Sequence, residues 1–249
     1  MKLDFKNYTI VITGGSKGIG LYSAIAYASL GANVFIVSRS KLSASNKKLL
    51  KNFSKIKFYT GNASNEKFIS QLFKKIYLLT RRFDILINNA GVPGLEKIEK
   101  IKLENWNYVI SNNLTSVFVC SKEAVKYMKK NKQGSIINIS SVAARNRSIV
   151  AGVHYTASKA AIIGFSRQLA YELSKENIRV NSIAPGQTRT DMLKKAIKNN
   201  AINIRNLNKH IPLGRIAETS DVVNAILFIS SNKSSYITGS VIDINGGVI

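Results

Sequence analysis

The chain has 249 residues, 45% of them hydrophobic and 8% aromatic, which is enough for a sizeable core in one large domain and excludes wholesale disorder. A single cysteine, Cys120, excludes an internal disulfide and a tetrathiolate metal site. The 37 Lys and Arg residues against 13 Asp and Glu give a net charge of +24, yet the basic groups are spread along the chain. Its densest clusters, Lys47-Lys48, Lys74-Lys75, Lys129-Lys130-Lys132 and Lys194-Lys195-Lys198, read as solvated faces that raise solubility and attract anions, not as a nucleic-acid site. Strand-like sequence begins at Tyr8 with no apolar leader before it, and no run approaches the roughly 18 apolar residues of a membrane span. A cytoplasmic protein with no membrane partner is expected.

Apolar runs of strand length alternate with segments of helical period. Tyr8–Thr13 is a β-branched run suited to a parallel strand covered on both faces. A helix over Ile19–Leu30 follows, closed by Gly31. Strands are expected at Val34–Val37 and Ile56–Thr60. Phe68, Ile69, Leu72, Phe73, Ile76 and Leu79 then recur at three- and four-residue spacing, one apolar helix face between Glu66 and Arg82. Further strands are expected at Ile85–Ile87, Ile136–Ile139, Val180–Ala184 and Val241–Ile244. Helices should cover about Glu104–Lys130 and Tyr155–Lys175, and one capped by Ser220 should run to Ile229, with Asp221 favourable to its dipole. Pro93, Pro185 and Pro212 all fall in expected loops. The alternation predicts right-handed βαβ units and a parallel sheet with helices on both faces. No linker divides residues 1–249, and the weakly patterned stretch at about 191–215 is a candidate lid.

Thr13-Gly14-Gly15-Ser16-Lys17-Gly18-Ile19-Gly20 lies between the first strand and the first helix. There Gly14 permits a tight turn, Gly18 lets backbone approach a pyrophosphate, and Gly20 lets the helix pack close to the sheet, while the helix N-terminus offers N–H groups to phosphate. Gly14, Ser16, Lys17, Gly18, Ile19 and Gly20 are therefore candidate cofactor contacts. The end of the second strand reads Ser38-Arg39-Ser40, without the carboxylate that holds an NAD ribose. Arg39 can clasp a 2′-phosphate, with Lys17 on the same side, so NADP(H) is favoured over NAD.

A tyrosine four residues before a lysine arises easily by chance in so lysine-rich a chain, and Tyr155/Lys159 and Tyr171/Lys175 both occur. Tyr155 opens a helix shortly after Ser141, at a strand's carboxyl end where ligands bind in open α/β sheets. Tyr171 lies several turns farther along the same helix and is set aside. Residues four apart share a helix face, so the Lys159 ammonium is expected to hold the Tyr155 phenol below its usual pKa and make it a proton donor to a carbonyl oxygen. Ser141 can hydrogen-bond the same oxygen. This chemistry requires no metal. Cys120 reads as core, and His154 and His210 need no role.

Taken together, TGGSKGIG (13–20), NNAG (88–91), WNYVISNNL (106–114), IINISS (136–141), YTASK (155–159), VNSIAPGQTRT (180–190) and ITGSVIDINGG (237–247) resemble the short-chain dehydrogenases/reductases from end to end. The resemblance implies a doubly wound Rossmann fold with a seven-stranded parallel sheet, and a homotetramer. It implies that Asn113 holds a water relaying protons to Lys159, that Ser141 polarises the carbonyl, that Tyr155 transfers the proton, and that Lys159 also holds the nicotinamide ribose. Asn62 and Ala63 would flank adenine, with Asn62 replacing a frequent Asp in a hydrogen bond to an amino group. Asn89, Ala90 and Gly91 would line the cofactor, and Pro185, Gly186, Thr188 and Thr190 would position the nicotinamide.

The activity implied is NADPH-dependent reduction of a ketone to a secondary alcohol. The chain looks most like the 3-oxoacyl-(acyl-carrier-protein) reductases, with Lys129, Lys130 and Lys132 as candidate contacts for an acidic carrier. Glu176, where carrier-dependent relatives often have a basic residue, and a Ser141–Tyr155 loop one residue longer weaken the carrier reading. A sugar, polyol or other secondary-alcohol dehydrogenase is the alternative. A non-catalytic dinucleotide- or nucleic-acid-binding protein is the alternative of another class, disfavoured by the complete Asn113, Ser141, Tyr155 and Lys159 set.

Overall fold

The computed structural model describes residues 3–148, 150–190, 193 and 208–249. Its elements in chain order are β1 (Thr9–Thr13), α1 (Gly18–Ser29), β2 (Asn33–Ser38), α2 (Ala44–Leu50), β3 (Ile56–Thr60), α3 (Glu66–Thr80), β4 (Ile85–Asn88), α4 (Leu103–Ile110), α5 (Ser116–Asn131), β5 (Gly134–Ile139), α6 (Val153–Leu173), β6 (Ile178–Pro185), α7 (Thr219–Ser230) and β7 (Val241–Ile244). The strands form one parallel sheet of order β3-β2-β1-β4-β5-β6-β7. Between β1 and β4 the winding reverses, which opens a crevice at their carboxyl ends.

Side-chain alternation along each strand divides the core in two. Val11, Phe35, Val37, Leu86, Ile136 and Val180 face α3, α5 and α6. Ile10, Ile12, Val34, Ile36, Ile87, Ile137 and Ile183 face α1 and α7. This is the doubly wound arrangement expected from the chain's strand–helix rhythm. At the amino edge, buried Asp84 accepts a hydrogen bond from the Thr9 N–H at 2.8 Å and pairs with Arg82 at 2.8 Å, fixing β1 to the start of β4. Among the described residues, no helix is long and apolar enough to cross a membrane.

Three expectations change, and one element was not expected. The helix expected over 104–130 is divided by a π-turn at Ser111–Thr115. Ser220 lies inside α7, whose cap is Glu218, and Asp221 completes a reciprocal capping box. Pro185 ends β6 and is not in a loop; the close of a strand tolerates the missing donor. The short helix α2 was not legible from periodicity because it buries no residue. The expected lid lies outside the described residues apart from Leu193 and 208–215. Leu193 packs with Ile211 and Ile216, and the Arg189–Glu218 and Arg215–Asp221 pairs, at 2.8 and 2.6 Å, tie the chain on either side to the start of α7.

Candidate active site

A cleft of about 640 Å³ runs across the carboxyl ends of the strands. It is lined by Gly14, Ser16, Lys17, Gly18, Ile19, Arg39, Asn62, Ala63, Asn89, Ala90, Gly91, Ser141, Tyr155, Lys159, Pro185, Gly186, Thr188 and Thr190. Gly20 and Asn113 alone among the expected site residues stand behind this wall. A Cβ on Gly20 would come within 2.6 Å of Asn89 Nδ2 and 2.8 Å of Gly14 O, so its role is close packing of α1.

The phosphate end is built by backbone. Gly14 (φ +69°) leaves β1 in the left-handed region, and a Cβ there would meet Ala90 Cα at 2.7 Å. The Thr13 hydroxyl accepts from the Asn89 and Ala90 N–H groups at 3.1 and 3.0 Å, and Asn89 Nδ2 donates to the Thr13 and Gly14 carbonyls at 3.1 and 3.0 Å. These bonds lock the glycine loop to the turn after β4. Lys17, the N-cap of α1, makes no side-chain cap bond and the first turn carries no acid. The first N–H groups and the helix dipole are therefore available to an anion, as a dinucleotide pyrophosphate requires.

At the adenosine end, Arg39 extends from β2 to Tyr108 on α4. Its Nη1 donates to the Tyr108 hydroxyl at 3.3 Å and its guanidinium carbon lies 5.5 Å from the ring centroid. Asn62 differs from expectation. Its carbonyl oxygen already accepts from Ser64 N–H and Ser64 Oγ, at 3.1 and 3.0 Å. With both lone pairs taken, its amide nitrogen is the end left free, a donor and not an acceptor. Arg39→Asp should cost about tenfold or more in NADPH affinity while sparing NADH, because it replaces a phosphate clasp by a repelling charge. Fluorescence titration with both dinucleotides checks this, and equal NADPH affinity in the variant contradicts the assignment.

At the other end, Tyr155 and Lys159 rise from the first turns of α6 and Ser141 follows β5. Lys159 is buried; its Nζ donates to Ile139 O at 2.7 Å and lies 5.8 Å from the Tyr155 ring centroid. Its own carbonyl accepts from Ser140 Oγ at 2.7 Å. Gly91 stands beside the ammonium: a Cβ there would lie 3.2 Å from Asn113 Oδ1 and 3.6 Å from Lys159 Nζ. Tyr171 is exposed, in keeping with its exclusion.

The electrostatics correct one expectation. Burial holds the Tyr155 phenol above its usual pKa, and the facing Ser141 hydroxyl only partly offsets this. The Lys159 ammonium, whose Nζ donates to the Ile139 carbonyl, does not bring it below that value in the ligand-free chain. The phenol in the ligand-free chain thus keeps its proton at neutral pH, the state needed to donate. Burial also depresses Lys159 to about 8. Below that value the ammonium is present; it is lost as pH rises through it. The basic limb of kcat/KM against pH, which reports the free enzyme, should fall with a midpoint near that value, and a plateau through pH 10 would exclude a role for the Lys159 charge.

The Asn113 side chain is engaged within the protein. Its Oδ1 accepts from Val92 N–H at 2.7 Å, and its Nδ2 donates to Val92 O at 3.2 Å and Ser158 Oγ at 3.0 Å. The side chain is fully used in holding the turn after β4 against α6, so a relay water would have to meet its main chain, which lies in the π-turn. The carrier contacts inferred from sequence are displaced as well. Lys129, Lys130 and Lys132 end α5 just before β5 begins, at the amino edge of the sheet and so opposite the cleft. Lys129 is paired with Glu176 at 2.9 Å, and Lys130 lies over the Tyr77 and Tyr127 rings.

The wall of the reacting end comes from the loops at about 91–100 and 142–153, where the sequence reading places the substrate residues without naming them. Val92, Pro93, Gly94, Leu95, Val142, Ala143, Val150 and Ala151 face the cleft. They carry no motif, and their only signal is a run of small and apolar residues in loops.

Residues 14–249 match a family profile described as enoyl-(acyl carrier protein) reductase. The chain is 37% identical over 245 residues to the 3-oxoacyl-(acyl-carrier-protein) reductase FabG of Chlamydia muridarum, covering 97% of each. It is 36% identical over 250 residues to a 3alpha-hydroxysteroid dehydrogenase of Mediterraneibacter gnavus, covering 99% of this chain and 98% of that one. A solved structure of ElxO with NADP bound is 30% identical and superposes with a TM-score of 0.89, over 97% of this chain and 98% of that one. This protein belongs to the short-chain dehydrogenase/reductase family of oxidoreductases.

Proposed function

We propose that this chain is an NADPH-dependent ketone reductase acting on a 3-oxoacyl thioester. The observation that carries the reading is the convergence of a protonated Tyr155, the Ser141 hydroxyl and the Lys159 ammonium at one end of a cleft whose other end is an uncapped helix N-terminus with Arg39 beyond it. The nicotinamide supplies the hydride.

The chain's own residues do the rest. The glycine loop and α1 hold the pyrophosphate, Arg39 and Lys17 the 2′-phosphate, and Lys159 the nicotinamide ribose. Ser141 orients the substrate carbonyl by donating to its oxygen, and Tyr155 donates its proton to that oxygen as negative charge develops. Lys159 stabilises the phenolate left behind, which recovers its proton by way of the Asn113 turn. The apolar wall of Val92, Pro93, Leu95, Val142, Ala143, Val150 and Ala151 favours an acyl chain over a sugar or polyol. A second reading, an apolar secondary-alcohol dehydrogenase, is supported by the same wall and by the 3alpha-hydroxysteroid dehydrogenase relative.

NADPH oxidation is to be followed with acetoacetyl thioesters on pantetheine and on carrier protein, a crotonyl thioester, a 3-ketosteroid and a ketose. Preference for the acetoacetyl thioesters supports the proposal. Preference for the crotonyl thioester would mean protonation at carbon, and preference for the steroid would favour the second reading.

A further inference from the structure

His154 precedes Tyr155 and does not line the cleft, yet no part of its side chain is exposed. Its Nε2 lies 3.0 Å from Glu96 Oε2, while its Nδ1 is buried without a hydrogen-bond partner. The ring is held between two glycines: a Cβ on Gly94 would come within 2.5 Å of Nε2, and one on Gly152 would meet the ring at 3.0 Å and also strike the Glu96 carbonyl. Beside it, Gly152 N–H donates to Gly94 O at 2.8 Å. The Glu96 carboxylate also accepts from the Leu95 N–H at 3.1 Å, so the chain at 94–96 is folded around its own acid.

One fully buried ring and one backbone bond therefore join two segments far apart in sequence. One is Pro93–Glu96, whose first three residues form the apolar wall of the reacting end. The other is Gly152–Tyr155, the entry to the helix that carries the proton donor. Nδ1 has no acceptor, so the tautomer with hydrogen on Nε2 satisfies the site, donating to a carboxylate that its own backbone N–H, and then the imidazole, hold below the usual range. A bond to a charged acceptor is stronger than a neutral one, and here its imidazole side is dry while its carboxylate side is half exposed.

We propose that His154 and Glu96 are positioning residues that clamp the 93–95 wall against the start of α6 and thereby set the fit of the ketone's apolar part beside Tyr155. The role attached to this cleft rests on the ketone-reductase reading; the clamp itself does not. Neither residue touches the reacting atoms. The clamp should act on substrate fit much more than on cofactor affinity, because the pyrophosphate and adenosine contacts come from the glycine loop, the end of β2 and the turn after β3.

The test combines His154→Phe, which keeps a flat ring between the glycines without the bond, with His154→Gln, which restores a donor near the Nε2 position. Glu96→Gln is the milder partner variant, since Glu96 is half exposed and its loss of charge leaves the fold intact. Hydrogen exchange read at Gly152 reports the clamp directly. Exchange there should quicken by about tenfold in His154→Phe, the loss of one charge-assisted bond, and less in Glu96→Gln. KM for the favoured ketone should rise by a similar factor, about tenfold, with kcat and the NADPH dissociation constant nearly held and His154→Gln recovering most of the loss. Unchanged exchange at Gly152 in both Glu96→Gln and His154→Phe overturns the clamp. Quickened exchange with KM unmoved overturns its role in substrate fit, as does an equal loss of NADPH affinity. If the parent reduces no ketone, the functional reading fails while Gly152 exchange still decides the clamp.

Discussion

Tyr155→Phe should lower ketone reduction by about three orders of magnitude, within the range that loss of a positioned general acid produces, while NADPH binds as before. The substitution removes one oxygen from a half-buried ring and leaves the stem of Lys159, its bond to Ile139 O and the glycine loop untouched. Ser141→Ala should cost less, because it removes an orienting donor and leaves the proton source. Single-turnover rates with bound NADPH separate the chemical step from binding. A Phe variant retaining even a tenth of the parent rate would show that the proton comes from elsewhere and would remove the basis of the proposed mechanism.

Gly14→Ala should be the most damaging single-methyl change at the phosphate end. Two costs add: a left-handed backbone that an L side chain rarely adopts, and a Cβ facing Ala90 Cα at 2.7 Å and Ala90 N at 2.9 Å. Those atoms belong to backbone pinned by Thr13 and Asn89, so they cannot swing aside as a side chain would. The expected destabilisation is about 3 kcal/mol. Chemical denaturation measures it, and NADPH affinity should fall in parallel because the same turn carries the phosphate N–H groups. A variant as stable as the parent would mean that the loop relaxes freely and that Gly14 is not held by the turn after β4.

Much of this architecture was legible in the residues. Continuous β-branched runs such as Thr9–Thr13 have one explanation, a strand buried on both faces, and β1 is buried throughout. The glycine loop and Arg39 were legible because each needs a particular backbone freedom or charge at a fixed distance from a strand end. Tyr155 and Lys159 were separable from Tyr171 and Lys175 by position relative to the sheet edge. Properties set by three-dimensional neighbours were not legible. The direction of the Tyr155 shift depends on how far the fold screens the phenol from water, and the Lys159 ammonium is met by Ile139 O, twenty residues away. Asn62 and Asn113 kept their places but not their free ends, because Ser64 and Val92 had already engaged them. His154 was passed over because an isolated histidine carries no spacing; its partner, Glu96, is 58 residues distant.

The π-turn at Ser111–Thr115 has a geometric consequence for α4 and α5. Each residue of a regular helix advances about 100°, so Val109 and Val117, both buried, would point about 80° apart on a continuous rod. Absorbing one residue in the wider loop brings them to within about 20°, and a single dry stripe then runs the length of both segments. Straightening this stretch into regular helix without removing a residue would swing every side chain of α5 by about 100°, turning Cys120 and Met128 out of the core, whereas deleting one residue along with the bulge would keep the stripe in phase. The bulge is thus an angular adjustment that lets two helices of unequal phase share one sheet.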